Sequence, residues 1–147
     1  MQTRFLMILG AVAGIFVGSI SGAVGETEWV SVTDPQEVKE LVSGKAIDGK
    51  YWTHFYRTDG NMAYHYSRSN SMTVRKWTIE DDGRLCSAVY SKPDRVIDCF
   101  TYQRASDDPT KYHMKGASGS NSGDFEIFDT PPENLVNALN EKAGPMQ

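Results

Sequence analysis

The sequence predicts a mainly β protein, and three observations carry this prediction. Between residues 45 and 128, strand-like runs of six to nine residues alternate with turn clusters rich in Gly, Asp, Asn and Ser. Helical patterning is confined to one short segment before this region and one after it. The strands follow one another at short, regular spacing, which favours an antiparallel meander. We predict seven or eight strands in a small closed or nearly closed barrel plugged by the two helices, with a strongly curved open sheet as the alternative.

The first 23 residues differ in composition from the rest of the chain. One Arg at position 4 precedes the uncharged stretch 5–17, and a run of small residues follows at 18–23. This pattern is typical of a secretory signal peptide, because the apolar stretch is shorter than the roughly 20 residues that span a bilayer. An uncleaved N-terminal anchor is the alternative. We expect a signal peptide at 1–23, a single β-rich domain at 24–147, and export to the periplasm or the medium.

Two helices are expected to flank the β region. Asp34 supplies an N-cap, Pro35 stands at the first helical position and Glu37 at the third, while Gly44 ends this first helix. The run 130–133, Thr-Pro-Pro-Glu, has a similar N-terminal capping pattern and is predicted to cap the second helix. The apolar stripes are Val38, Leu41 and Val42 in the first helix and Leu135, Val136 and Leu139 in the second. Each helix has one apolar side, so both must dock on a larger body.

The two cysteines, Cys86 and Cys99, are expected to form a disulfide bond. They lie in two predicted strands, 84–90 and 95–102, joined by a turn at 91–94. A hairpin symmetric about this turn places the cysteines directly opposite each other, near disulfide geometry. An even pair of cysteines in an exported protein favours oxidation. A reactive or metal-binding thiol pair is the alternative, but the spacing is not CxxC.

Turn chemistry sets the predicted register of the first hairpins. With Asp59–Gly60 as a two-residue type I′ turn, His54 opposes His65, and a second turn near Ser69 follows. One face then carries Phe55, Met62, Tyr64, Tyr66, Met72 and Val74. The opposite face carries Trp52, His54, Tyr56, His65, Arg75 and Trp77. Since both faces carry aromatic side chains, either both are covered or one is a binding surface.

Five short motifs run through the chain: Leu41-Val-Ser-Gly-Lys45, Tyr56-Arg-Thr-Asp-Gly60, the run from Trp77 to Cys86, Cys99-Phe100 and Pro132-Glu-Asn-Leu135. Together they resemble a family of small secreted bacterial proteins, the domain-of-unknown-function family 995 (DUF995). In that pattern a Gly commonly stands two residues before the Trp, where this chain has Arg75. The resemblance implies export and a β-rich fold, and it supplies no activity and no catalytic residues.

No catalytic motif is found in the sequence. His54 and His65, paired across strands, offer two imidazoles that His113 or Asp48 would complete as a metal site, but a half-exposed polar pair is the favoured interpretation. Ser87 and Asp98 are predicted cross-strand neighbours and are interpreted as a surface contact, since no His and no GxSxG motif accompanies them. The acidic residues cluster in turns rather than facing each other in a cleft. We therefore predict no enzyme, no cofactor and no metal.

The leading functional prediction is an exported, non-enzymatic binding module. The net charge of −4 argues against a nucleic-acid partner, and no apolar run beyond residue 23 suits membrane insertion. The aromatic face of Trp52, Tyr56 and Trp77, with Arg75 and the two histidines as polar groups, suits a small amphipathic ligand or a partner protein. Alternatively, these rings are simply the barrel core. A second hypothesis is an inhibitor of a hydrolase such as a protease or lysozyme, acting through loop 67–71 or 117–123.

Overall fold

The computed structural model describes residues 25–119 and 122–146. The predicted signal peptide lies outside the described residues. The elements of the described part are β1 (Trp29–Val32), α1 (Pro35–Val42), β2 (Ala46–Gly49), β3 (Trp52–Tyr56), β4 (Asn61–Tyr66), β5 (Ser71–Ile79), β6 (Leu85–Val89), β7 (Lys92–Ala105), β8 (Tyr112–Gly116), β9 (Gly123–Phe128) and α2 (Glu133–Ala143). None of the helices in this part is long and apolar enough to cross a membrane.

Strands β2 to β9 form a closed, antiparallel, eight-stranded barrel. Each strand pairs with its neighbours in sequence, and β9 pairs with β2 to close the ring. β1 lies outside the ring and pairs with residues 102–105 at the end of β7. These pairings confirm the predicted mainly β fold and barrel, and the open-sheet alternative is wrong.

Helix α1 crosses one end of the barrel. Asp34 caps it as predicted, because its Oδ1 accepts hydrogen bonds from the backbone nitrogens of Gln36 (2.8 Å) and Glu37 (3.0 Å). Val38 and Val42 are fully buried and belong to the same cluster as the side chains inside the barrel. We call this end the closed end and the opposite end the mouth.

Helix α2 packs on the outer wall of the barrel, so the prediction that both helices plug it is wrong. Leu135 and Leu139 are fully buried against Ala46, Phe55 and Ala63, which face outward from β2, β3 and β4. The predicted cap at 130–133 is also wrong. Residue 132, a proline, occupies the N-cap position and no side chain caps the helix.

The barrel interior is filled by side chains that alternate along the strands with outward-facing ones. Its buried apolar members are Ile47, Trp52, Tyr56, Met62, Trp77, Leu85, Phe100, Tyr102, Met114 and Phe125. Trp52 packs directly over Gly49, where a Cβ atom would collide with the indole ring. This interior is the main core of the protein.

Cys86 and Cys99 form the predicted disulfide bond, directly opposite each other on β6 and β7. The turn between these strands is wrongly placed in the prediction. Tyr90 and Ser91 connect the strands rather than 91–94, and Val89 pairs with Lys92. Register shifts at Ala88 absorb the extra residues of β7, so the pairing of the cysteines is preserved.

The register of β4 differs from the prediction by one residue. Phe55 pairs with Ala63 rather than Tyr64, and His54 pairs with Tyr64 rather than His65. The hairpin closes over three residues, 58–60, because the Arg57 nitrogen donates to the Asn61 carbonyl and Gly60 takes the left-handed conformation (φ 81°). A one-residue shift turns every side chain of a strand to the other face. Met62, Tyr64 and Tyr66 therefore face inward, whereas His65 faces outward.

Candidate functional site

The residues predicted to form an aromatic binding face line the interior of the barrel, with one exception. Trp52, His54, Tyr56 and Trp77 are buried. Arg75 is partly buried on the inward face of β5, between the inward positions of β4 and β6. His65 lies on the outer face, where its Nε2 is 3.1 Å from Asn70 Oδ1. The structure therefore brings five of the six residues to one side.

Tyr56 and Trp77 belong to the packed core near the closed end. Their rings meet edge to face at a centroid separation of 5.7 Å. Trp77 Nε1 donates to the carbonyls of Arg57 (2.9 Å) and Asn61 (3.1 Å), which satisfies its buried N–H group. These two aromatic residues therefore stabilise the barrel, and Tyr56 exposes no surface while Trp77 exposes 8%.

His54 lies fully buried in the middle of the barrel and is neutral. Burial, reinforced by the positive charge of Arg75, lowers the pKa of His54 to about 3. Tyr102 Oη donates to Tyr56 Oη (3.2 Å), which leaves the Tyr56 hydroxyl hydrogen for His54 Nδ1 (2.7 Å). We therefore assign the imidazole hydrogen to Nε2, a buried donor that has no partner among the described residues.

Arg75 is the cation nearest to this interior. Its Nη1 donates to Ser87 Oγ at 3.3 Å, and its guanidinium carbon lies 5.0 Å from the centre of the Tyr64 ring. Its Nε is buried without a hydrogen-bond partner in the described part of the chain. None of the ion pairs among the described residues includes Arg75. Burial is the main influence on the pKa of Arg75 and lowers it.

Asp98 lies close to Arg75, but its oxygens are engaged elsewhere. Oδ1 accepts from the backbone nitrogens of Cys99 (3.0 Å) and Ser118 (3.3 Å), and Oδ2 accepts from Ser118 Oγ (2.8 Å). The predicted cross-strand pairing of Asp98 with Ser87 is confirmed. Both residues are buried, so their interpretation as a surface contact is wrong.

A cleft opens in the barrel wall beside Arg75, near the mouth. Strand β5 extends from Ser71 to Val74 beyond its last pairing with β6, Arg75 to Val89. The resulting cleft has a volume of about 540 Å³, within the range of small-molecule sites. The side chains that give it chemical character are Val74, Arg75, Val89, Tyr90, Ile97 and Lys142. We call it the Arg75 cleft.

Sequence reasoning missed most of the Arg75 cleft. Tyr90 and Ile97 line the same cleft as Arg75 because β6 ends at Val89 and β7 is bulged opposite it. No sequence motif predicts this bulge. Lys142 reaches the cleft from α2, whose packing on the outer wall was not predicted. Arg75 itself was predicted as a site residue, because it lies two positions before Trp77 on one strand and therefore shares its face.

The histidine pair considered as a metal site does not exist in the structure. His65 pairs with Thr53 and faces outward, whereas His54 faces inward. His113 lies on β8 with its Nδ1 2.7 Å from Asp124 Oδ1. No cluster of three or more His, Cys, Asp or Glu with metal-binding geometry occurs in the stretches 25–119 and 122–146.

Both loops considered for a hydrolase inhibitor lie at the mouth. Residues 67–70 connect β4 to β5, and residues 117–122 connect β8 to β9. Arg68 of the first loop stacks on the Tyr51 ring at 3.7 Å from its centre. The inhibitor hypothesis stays a prediction.

Comparison with known proteins finds no matching family model, no matching curated protein and no matching solved structure. The resemblance to DUF995 also stays a prediction.

Proposed function

We propose that this protein is an exported, non-enzymatic binding protein that holds a small amphipathic ligand in the Arg75 cleft. The observation that carries the proposal is the cleft itself, which joins an aliphatic and aromatic lining to a partly buried guanidinium that forms no ion pair among the described residues. Small-molecule sites are concave, mostly apolar and supplied with a few placed polar groups. The disulfide bond between Cys86 and Cys99 supports export, because such bonds persist in oxidising compartments.

The ligand is expected at the wall and mouth rather than deep in the barrel. The core residues Tyr56, Phe100 and Tyr102 are fully buried and fill the interior toward the closed end. In the cleft, by contrast, Ile97 is 45% exposed and offers an apolar surface to solvent. This location replaces the aromatic face as the proposed binding surface.

Methyl NMR of the purified protein with octanol, octanoate and octylammonium as probes tests the proposal. We expect at least one probe to produce saturable, one-to-one shifts at the methyl groups of Val74, Val89 and Ile97. The Ile97→Gln variant should weaken this binding. Val96→Gln is the matched control, because Val96 is an exposed neighbour (55%) outside the cleft. The proposal is wrong if no probe saturates these shifts, or if the two variants bind equally.

A further inference from the structure

The connecting loops of the barrel differ in charge. The described loop residues at the mouth, 50–51, 67–70, 90–91, 117–119 and 122, contain Lys50 and Arg68 and no Asp or Glu. The exposed start of β7 adds Lys92 and Arg95 against Asp94. Loop 67–70 and the start of β7 are therefore net basic, whereas Lys50 lines a cavity together with Asp48, Asp108, Asp124 and Glu126.

Two loops at the closed end carry the opposite charge. The loop 80–84 contains three acidic residues and one Arg, and the loop 106–111 contains two Asp and one Lys. Local positive charge attracts anions. The Arg75 cleft opens beside the net-basic start of β7, and none of its lining residues is Asp or Glu.

Arg75 has unused capacity to bind an anion. A guanidinium offers five N–H donors, and the described residues engage Arg75 through the single bond from Nη1 to Ser87 Oγ. Asp98, the nearby carboxylate, already accepts three hydrogen bonds from other groups. Lys142 brings a second cation to the cleft from α2, with its Nζ 5.8 Å from the centre of the Tyr90 ring.

We propose that the ligand of the Arg75 cleft is an amphipathic carboxylate, whose anionic group binds Arg75 and whose apolar body lies against Val89 and Ile97. This inference rests on the proposed function and specifies its ligand. A guanidinium binds a carboxylate through paired, charge-assisted hydrogen bonds, which are stronger than bonds between neutral groups. Lys142 adds a second positive charge at the rim.

The matched probes separate this inference from the proposed function, because octanoate, octanol and octylammonium share one apolar body. We expect octanoate to bind about ten- to a hundredfold more tightly than octanol, and octylammonium to bind most weakly. Arg75→Gln should reduce octanoate binding to the level of octanol and leave octanol binding unchanged. Arg68→Gln is the matched control, since it removes the same charge from the mouth but lies outside the cleft, and it should preserve the preference for octanoate.

A measurement on the unmodified protein keeps the test decisive if Arg75→Gln does not fold. The Nε–H resonance of Arg75 should shift downfield with octanoate and stay in place with octanol. If octanol binds as tightly as octanoate and that resonance does not move, the carboxylate inference is wrong while the proposed function stands. An equal loss in Arg68→Gln and Arg75→Gln would also overturn it, because general attraction rather than Arg75 would then explain the preference. If no probe binds the cleft, the proposed function fails as well.

Discussion

The two ends of the barrel differ in side-chain burial and hydrogen bonding. At the closed end, α1 covers the barrel, Val38 and Val42 are fully buried, and the indole N–H of Trp77 has two acceptors. Toward the mouth, Tyr64, Tyr66 and Arg75 are only partly buried, and Arg75 Nε has no partner among the described residues. The closed end is therefore the more deeply buried of the two, although Asn61 Oδ1 at that end also lacks a partner among the described residues.

Under the proposed function, one sheet combines stability at the closed end with binding near the mouth. Functional sites commonly retain unpaired polar groups that reduce stability, and the surrounding structure compensates for them. In this barrel the compensation is concentrated at the closed end and in the outer packing of α2 on β3 and β4. Substitutions at the two ends should consequently affect stability and binding in opposite ways.

The largest expected effect is at the closed end. Trp77→Ala should lower the free energy of unfolding by about 3–5 kcal/mol, because it removes a buried aromatic ring from a packed core. Tyr66→Ala, the matched substitution at the mouth, should cost about 1 kcal/mol, since that ring is only partly buried. Urea denaturation of both variants measures the difference. Equal losses would contradict the assignment of the core to the closed end.

Removal of the disulfide bond should have the next largest effect. The double variant Cys86→Ser/Cys99→Ser should lose about 3 kcal/mol, because the bond closes a loop with a separation of 13 residues. The ladder is regular at Leu85 but shifts register at Val89, on the mouth side. We therefore expect amide hydrogen exchange to accelerate more at Val89 than at Leu85. Uniform acceleration along β6 would show that the two ends do not differ in local stability.

Fold class, both helices and the disulfide bond were predictable because each rests on local patterns that the barrel leaves intact. The register of β4 was not, because Asp59-Gly60 is the strongest signal for a two-residue turn, whereas the hairpin closes over three residues. The second turn is shifted by one residue as well, so the two errors cancel and Phe55 remains aligned with Val74. This is why β3 and β5 were assigned a common face correctly while β4 was inverted.

The Arg75 cleft was only partly predictable for a related reason. Alternation along β5 places Arg75 and Trp77 on one face, and this information is local. Whether that face is the interior depends on closure of the ring by β2 and β9, which no residue signals by itself. The cleft also needs β6 to end before β5 does, and that difference in strand length follows from the bulge in β7.

His54 lies between the two ends, and its titration tests how well the closed end excludes water. Native His54 has a pKa of about 3, whereas an unfolded His has a pKa near 6.5, so only the unfolded state binds this proton in between. Stability should therefore fall as the pH decreases from 6.5, by about 2 kcal/mol at pH 5. His54→Gln should remove this loss, and His65→Gln, the outward-facing control, should retain it. If urea denaturation shows the same pH dependence in the wild type and His54→Gln, His54 is not shielded from water.

The smallest expected effect on stability is at Arg75, although its effect on binding is the largest. Arg75→Met keeps the length of the side chain and removes a partly buried guanidinium that forms no ion pair in the described part of the chain, together with one hydrogen bond of 3.3 Å to Ser87. Because the loss of that bond and the relief of a desolvated charge oppose each other, the free energy of unfolding should change by no more than about 1 kcal/mol. Urea denaturation at neutral pH measures this change, with octanoate binding measured on the same variant. A loss above about 2 kcal/mol would show that Arg75 supports the fold as the closed-end residues do, and would remove the contrast between the two ends.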